Sequence, residues 1–181
     1  MSAIDKREFV RELIGSGSVK YGDFTLASGK KSSYYVDIKL AITRPELLRA
    51  IAKAMAPHAS GCGRVAGVEL GAVPIAVAVS LETGIPYIMV RKEKKEHGTQ
   101  KPFEGEMRDG EKVLFVEDVV TTGGTLAKAI VSLRSQKAVV EKVVCVVDRD
   151  EGGRESLRQI GVELHSVVTR QDLLEAENDP R

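Results

Sequence analysis

The stretch VLFVEDVVTTGGTLAKAI, residues 113–130, decides the fold. Val113 to Val116 are four apolar residues in a row, the pattern of a strand buried on both faces. Glu117 and Asp118 stand at its carboxyl end, and Thr121-Thr122-Gly123-Gly124-Thr125 then turns the chain into a helix. Gly123 and Gly124 let the backbone turn tightly and approach an anion with no Cβ in the way. The N–H groups of such a turn and of the helix N-terminus form a phosphate-sized socket, and the threonine hydroxyls add donors without charge. GxxxxGK[ST] is absent and Lys128 falls inside the helix, so this is not a Walker loop. Two carboxylates beside the socket would repel a bare anion. A sugar phosphate reconciles them, its ring hydroxyls donating to the carboxylates while its phosphate sits in the turn.

Outward from this unit the pattern repeats. RVAGVEL (64–70), PYIMV (86–90), KVLFVED (112–118), EKVVCVVD (141–148) and LHSVV (164–168) have the composition of short buried strands. AVPIAVAVSLETG (72–84, ending at Gly84), GGTLAKAIVSLRSQ (123–136) and GRESLRQIG (153–161) fall between them as helices. The alternation predicts an α/β fold with a mainly parallel sheet covered on both faces. Right-handed crossovers then gather the strand-to-helix loops at the carboxyl edge of the sheet, where ligands bind in such folds.

Before this core the chain opens with a helix carrying Ile4, Phe9, Val10, Leu13 and Ile14 on one face. VKYGDFTLASGKKSSYYVDIKLAIT (19–43) alternates about the turn Ala27-Ser28-Gly29-Lys30 and predicts a two-stranded antiparallel excursion. Thr43 and Glu46 have capping-box spacing, with Pro45 in the first turn of a helix that buries Leu47, Leu48, Ile51, Ala52 and Met55. RKEKKEHGTQKPFEGEMRDGE (91–111) breaks the rhythm: it is longer than loops of compact domains and shows no sustained period, as lids and binding segments do. The polar tail LLEAENDPR (173–181) is expected to fray.

The 181 residues suit a single domain over 1–181, and a 43% apolar, 29% charged composition is that of a globular protein. A formal net charge of +1 gives no global attraction for nucleic acid, and the absence of Trp argues against a large base-stacking platform. Cys62 and Cys145 form no CxxC pair and are expected to be free thiols. The amphipathic N-terminus is unlike a secretory signal, and no apolar stretch reaches the roughly 18 to 20 residues of a membrane span. A soluble, cytoplasmic protein without membrane or nucleic-acid partners is expected.

An apolar strand, two acidic residues and a threonine- and glycine-rich turn resemble the PRPP-binding signature of type I phosphoribosyltransferases (PRPP, 5-phosphoribosyl 1-diphosphate). Three further stretches resemble orotate phosphoribosyltransferases: FTLASGKKSSYYVDIK (24–39), like that family's hood hairpin; RKEKKEHG (91–98), like its mobile catalytic loop; and VVDRDEGG (146–153), like its orotate-contacting Asp-Arg element. The resemblance implies a type I phosphoribosyltransferase fold with hood elements over about 1–42 and the C-terminal segment, and a mobile loop over about 91–111. It implies that Glu117 and Asp118 hold the ribose hydroxyls, and that Val119, Val120, Thr121, Thr122, Gly123, Gly124 and Thr125 bind PRPP. Arg91, Lys92, Lys95 and His97 would stabilise the leaving pyrophosphate, with Lys95 the catalytic cation alongside Glu117 and Asp118. Arg149 and Thr121 would contact orotate, Arg149 reading its carboxylate as a planar fork; pairing of Arg149 with Asp148 or Asp150 is the alternative. Tyr34 and Tyr35 match an aromatic pair in the hood.

The resemblance further implies a homodimer with shared active sites. Mg²⁺ would be the cofactor, with no direct protein ligand, held mainly by PRPP and water. Two positions depart from many bacterial members, which carry lysine where this chain has Ala27 and Gly71. A phosphoribosyltransferase for another base, or a PRPP-sensing regulator that binds nucleic acid, are the other readings of the same signature.

Overall fold

Strand burial on both faces is what organises the molecule. A computed structural model describes residues 5–25, 29–92 and 101–178. Its central strand, β6 (Lys112–Val120), alternates sides: Val113 and Phe115 join one apolar cluster, Leu114 and Val116 the other. β7 (Val139–Asp148) repeats this, with Val143 and Cys145 on the first side and Val144 and Val146 on the second. Completing the sheet are β3 (Arg64–Val68), β4 (Tyr87–Val90), β5 (Phe103–Glu104) and β8 (Glu163–Thr169), in the order β5-β4-β3-β6-β7-β8. All neighbours are parallel except β5, which runs antiparallel to β4.

Helices close both faces. α5 (Gly124–Arg134) and α6 (Gly153–Arg158) bring Leu126, Ile130, Leu133 and Leu157 onto Phe115 and Val143. α3 (Pro45–Met55) and α4 (Ala72–Thr83) bring Ile51, Met55, Ile75 and Val79 onto Leu114 and Val144. Each such side chain, fully buried, contributes about 1.5–3 kcal/mol from removal of apolar surface. α4 ends where Gly84 takes the left-handed conformation (φ 72°), the cap that glycine adopts without penalty.

The N-terminal excursion forms as expected. α1 (Lys6–Gly15) is capped by Asp5, whose carboxylate accepts the N–H groups of Arg7 (2.9 Å) and Glu8 (3.3 Å). β1 (Val19–Thr25) and β2 (Lys31–Val36) make a separate antiparallel pair from Val19↔Val36 to Thr25↔Lys31, with an irregularity between Tyr21 and Phe24. Among the described helices none is long and apolar enough to cross a membrane.

Three sequence readings need correction. The Thr43–Glu46 capping box does not form: a short helix, α2 (Lys39–Ile42), precedes α3, and Thr43 is spent as its C-cap, its hydroxyl donating to Leu40 O at 3.1 Å. Arg44 is the N-cap of α3, without a side-chain bond. The tail is ordered through Asn178 as α7 (Arg170–Asn178). A reciprocal cap starts it, Thr169 N–H donating to Asp172 Oδ2 (2.7 Å) and Asp172 N–H to Thr169 Oγ1 (3.3 Å). Leu173 is fully buried and its carbonyl accepts from Tyr21 Oη at 2.7 Å, tying α7 to β1. Finally, part of the 91–111 loop belongs to the sheet: β5 is its edge strand, with Phe103 buried.

Candidate active site

Sheet register places the chemistry. β6 and β7 stay paired to Val120↔Asp148, so Thr121 and Arg149 leave adjacent strands side by side. Arg149 N–H donates to Val120 O at 3.0 Å and locks the two loops together. The segments after β3, β4 and β6, with Lys39 of α2, line a cavity of about 330 Å³. It contains Glu69, Leu70, Gly71, Lys92, Glu117, Asp118 and every residue from Val119 to Leu126. The acidic pair and the threonine–glycine turn thus form one continuous wall.

The turn is built for close approach. Gly123 has φ 74°, which L side chains rarely adopt, and no side chain among the described residues caps α5, leaving its first-turn N–H groups to an anion. Behind it, a Cβ on Gly153 would fall 2.6 Å from Thr121 O, so the turn rests directly on the start of α6.

Backbone bonds fix the two carboxylates. Glu117 Oε1 accepts the Asp118 N–H (3.0 Å), and Asp118 Oδ1 accepts the Val119 N–H (2.8 Å). Burial pushes the Glu117 carboxyl well above the usual carboxylate range; its side-chain hydrogen bond to the Asp118 carboxyl and that neighbour's charge push the same way, while the bond from Asp118 N–H and the charge of Lys92 oppose. Gly71 faces this pair: a Cβ there would lie 2.4 Å from Asp118 Oδ2. That contact is the physical counterpart of the missing lysine at position 71, because any side chain there displaces the Asp118 carboxylate.

Charge is mixed, with Glu69, Glu117 and Asp118 set against Lys39 and Lys92. Glu69 Oε1 accepts the Lys92 N–H at 3.0 Å, joining the loop after β3 to the one after β4. Among the described residues no three His, Cys, Asp or Glu side chains are placed to hold a metal ion. An Mg²⁺ carried in by a polyphosphate and water would find the Glu117 and Asp118 carboxyl oxygens as acceptors for its bound waters.

The sequence-predicted residues divide. Lys92, Glu117, Asp118 and Val119 to Thr125 come together in the cavity. Arg91 does not line it: its guanidinium pairs with Glu104 of β5, and its N–H donates to Pro102 O at 2.9 Å. Lys95 and His97, like Ala27, lie outside the described residues. Arg149 sits beside the cavity with its guanidinium 5.4 Å from the Tyr34 ring centroid, the cation lying over the aromatic face. Its acidic partner is Glu151, at 2.9 Å, rather than Asp148 or Asp150. Asp148 is fully buried and committed elsewhere, to Arg154 (2.9 Å) and the Asp150 N–H (3.0 Å).

Sequence reasoning missed Lys39, Glu69, Leu70 and the packing role of Gly153. The position of Glu69-Leu70-Gly71, directly after a parallel strand, was the available signal for the loop. A larger cavity, about 600 Å³, lies between α1 and α7. It lacks the pairing of carboxylates with a glycine-rich turn and is not the chemical site.

An acidic pair at a strand end, a phosphate-sized turn opening a helix and a parallel sheet define a phosphoribosyltransferase-type site. Residues 42–163 match the family model described as phosphoribosyl transferase domain. The chain is 50% identical over 171 residues to the orotate phosphoribosyltransferase of Methanosarcina acetivorans, covering 93% of this chain and 91% of that protein. Among solved structures it resembles orotate phosphoribosyltransferase from Aeropyrum pernix, with TM-score 0.85, 34% identity, and 94% and 98% of the two chains covered. The Mycobacterium tuberculosis H37Rv orotate phosphoribosyltransferase in complex with PRPP superposes with TM-score 0.75 at 30% identity, over 93% of this chain and 98% of that one. The chain belongs to the orotate phosphoribosyltransferase family.

Proposed function

We infer that the chain transfers ribose 5-phosphate from PRPP to orotate, giving orotidine 5′-phosphate and pyrophosphate, a step of pyrimidine synthesis. The observation that carries this reading is the continuous wall from Glu117-Asp118 to Thr125, with Arg149 one strand away. In this reading the 5-phosphate sits on the N–H groups and hydroxyls of Thr121–Thr125, and the ribose hydroxyls donate to Glu117 and Asp118. Arg149 takes the orotate carboxylate, and Thr121 a polar edge of the base.

The anomeric carbon acquires oxocarbenium character as its bond to pyrophosphate lengthens, and a ring nitrogen of orotate attacks the opposite face. No protein nucleophile is required, so positioning and charge stabilisation dominate. Lys92, Lys95 and His97, with Arg91 brought in from its pair with Glu104, supply positive charge to the departing pyrophosphate. When bound, Mg²⁺ neutralises pyrophosphate charge, and PRPP and water hold most of its coordination sphere.

The catalytic loop would complete a neighbouring subunit's site in a homodimer. The composition of α4 supports that assembly, because Val73 and Val77 on its outer side are only part-buried and Leu81 is 82% exposed. An apolar helix face of this kind is ordinarily covered. The proposed setting is the cytoplasm.

Arg149→Ala tests the assignment of the base pocket. The KM for orotate should rise by about 10- to 100-fold, the scale of a lost charged bidentate contact, with the KM for PRPP little changed. An unchanged KM for orotate would remove Arg149 from the pocket.

A further inference from the structure

We propose that Glu151 is an internal stand-in for the substrate carboxylate, holding Arg149 while the base site is empty and competing with orotate for it. The inference rests on Arg149 being the orotate-binding residue. Arg149 is 12% exposed, and a guanidinium so far from water must be matched by charge and hydrogen bonds. Two contacts and one unsatisfied donor define its state. Glu151 Oε1 lies 2.9 Å from Nη2, the Tyr34 ring lies under Cζ, and Nε is buried with no hydrogen-bond partner among the described residues.

A guanidinium offers a side-on fork to a carboxylate through Nε and Nη2 together. Here Glu151 lies within ion-pair distance of one tine, and the other has no hydrogen-bond partner among the described residues. A lone unpartnered N–H in a dry site costs free energy comparable to a lost hydrogen bond, so the empty site is incomplete in the way a carboxylate ligand would complete it. An arriving orotate carboxylate would satisfy Nε and must share or take Nη2 from Glu151. Glu151 has somewhere to go: it is 24% exposed on the loop between β7 and α6. Asp148 does not exchange in the same way, since Arg154 and the Asp150 N–H fix its carboxylate.

Two consequences follow. A base without a carboxylate cannot displace Glu151 and leaves Nε unsatisfied, so the pair discriminates against neutral bases. The product keeps the carboxylate of orotate, so Glu151 also weakens its hold and favours release.

The test compares the wild type with Glu151→Gln, which keeps the shape and one acceptor but removes the charge. Orotate and orotidine 5′-phosphate should each bind roughly 3- to 10-fold tighter, the scale of one like charge removed at close range, while uracil and PRPP affinities stay unchanged. Glu151→Asp, which retains the charge on a shorter stem, should fall between them. In an Arg149→Lys background the Glu151→Gln gain should disappear, because there is no fork to contest. Circular dichroism and thermal melting identify any variant that has failed to fold, in which case Glu151→Asp carries the comparison. Unchanged or weaker orotate binding in folded Glu151→Gln overturns the proposal. If Arg149→Lys itself leaves orotate binding untouched, the base-pocket reading fails first. If Arg149→Lys weakens orotate and Glu151→Gln does not tighten it, the inference alone fails.

Discussion

In a Gly153→Ala variant the added methyl carbon falls 2.3 Å from Val120 Cγ1 and 2.6 Å from Thr121 O. The valine methyl can rotate away, but the carbonyl oxygen belongs to the backbone of the phosphate turn. Ordinary contact begins near 3.4 Å, so the start of α6 and the turn must part by roughly 0.8 Å. Overpacking of this kind costs about 1–3 kcal/mol, and in a chain of this size each kcal/mol lowers Tm by about 2–4 °C. The functional cost should be larger than the structural one. A misplacement near 1 Å costs up to about 100-fold at a reacting centre, and in the proposed function this turn anchors the sugar by its 5-phosphate, so kcat/KM for PRPP should fall by about 10- to 100-fold. Steady-state kinetics with PRPP varied, together with thermal melting, measure both effects. Gly124→Ala is the stability control, since a Cβ there meets nothing within 4 Å and its Tm should not fall. A Gly153→Ala enzyme with wild-type Tm and wild-type kcat/KM for PRPP would refute the claim that α6 buttresses the phosphate turn.

Lys95→Ala should lower kcat by about 100-fold or more if its charge meets the leaving pyrophosphate, and a near-normal kcat in a single-turnover assay removes it from the chemistry. Lys39 lines the cavity and, among the described residues, is otherwise paired only at 3.7 Å with Asp37, so Lys39→Ala should raise the KM for PRPP by about 3- to 10-fold without lowering Tm. His58 stacks on His165 with ring centroids 4.6 Å apart; partial burial, then the charges of His165 and Lys142, hold its pKa below the usual histidine value, Glu163 opposing. The unfolded chain therefore takes up the proton first. The contribution of neutral His58 to stability is complete above about pH 6.5 and is lost as pH falls through that value toward the depressed folded pKa. Melting curves from pH 7.5 to 5 should show a smaller acid-side loss of Tm in His58→Gln than in the wild type, and parallel curves would contradict this.

The central unit was legible because its signals are local. Val113–Val116 is too apolar for anything but a doubly covered strand, and Gly123-Gly124 after it can be read without knowing any distant contact. The pairing of β1 with β2 was legible for the same reason, through apolar–polar alternation about a turn signal. What escaped depends on residues far apart in the chain. α7 is polar in isolation and orders because Leu173 is buried and Tyr21, 152 positions away, binds its carbonyl. Its Thr169-x-x-Asp172 cap was nevertheless in the sequence. The Thr43–Glu46 spacing misled because Thr43 had a competing role as the end of α2, a helix of four residues with no periodicity of its own.

At the site, the residue types and their order were readable and their pairing was not. Glu117 to Thr125 formed a wall as the motif implied. Lys39 reached that wall only through the path of α2, which no pattern encodes. The acids weighed as partners of Arg149 were its chain neighbours Asp148 and Asp150; the ion pair forms instead with Glu151, two positions on, while Asp148 is held by Arg154.

The most direct test of the account is base-dependent turnover. The chain, Mg²⁺ and PRPP are incubated with orotate, adenine, guanine, hypoxanthine or uracil in parallel, following each base by ultraviolet absorbance and pyrophosphate by a coupled assay. Loss of orotate alone, with pyrophosphate formed in equal amount, is the predicted result. Turnover of a neutral base in preference to orotate, or PRPP binding with no base consumed, would contradict it.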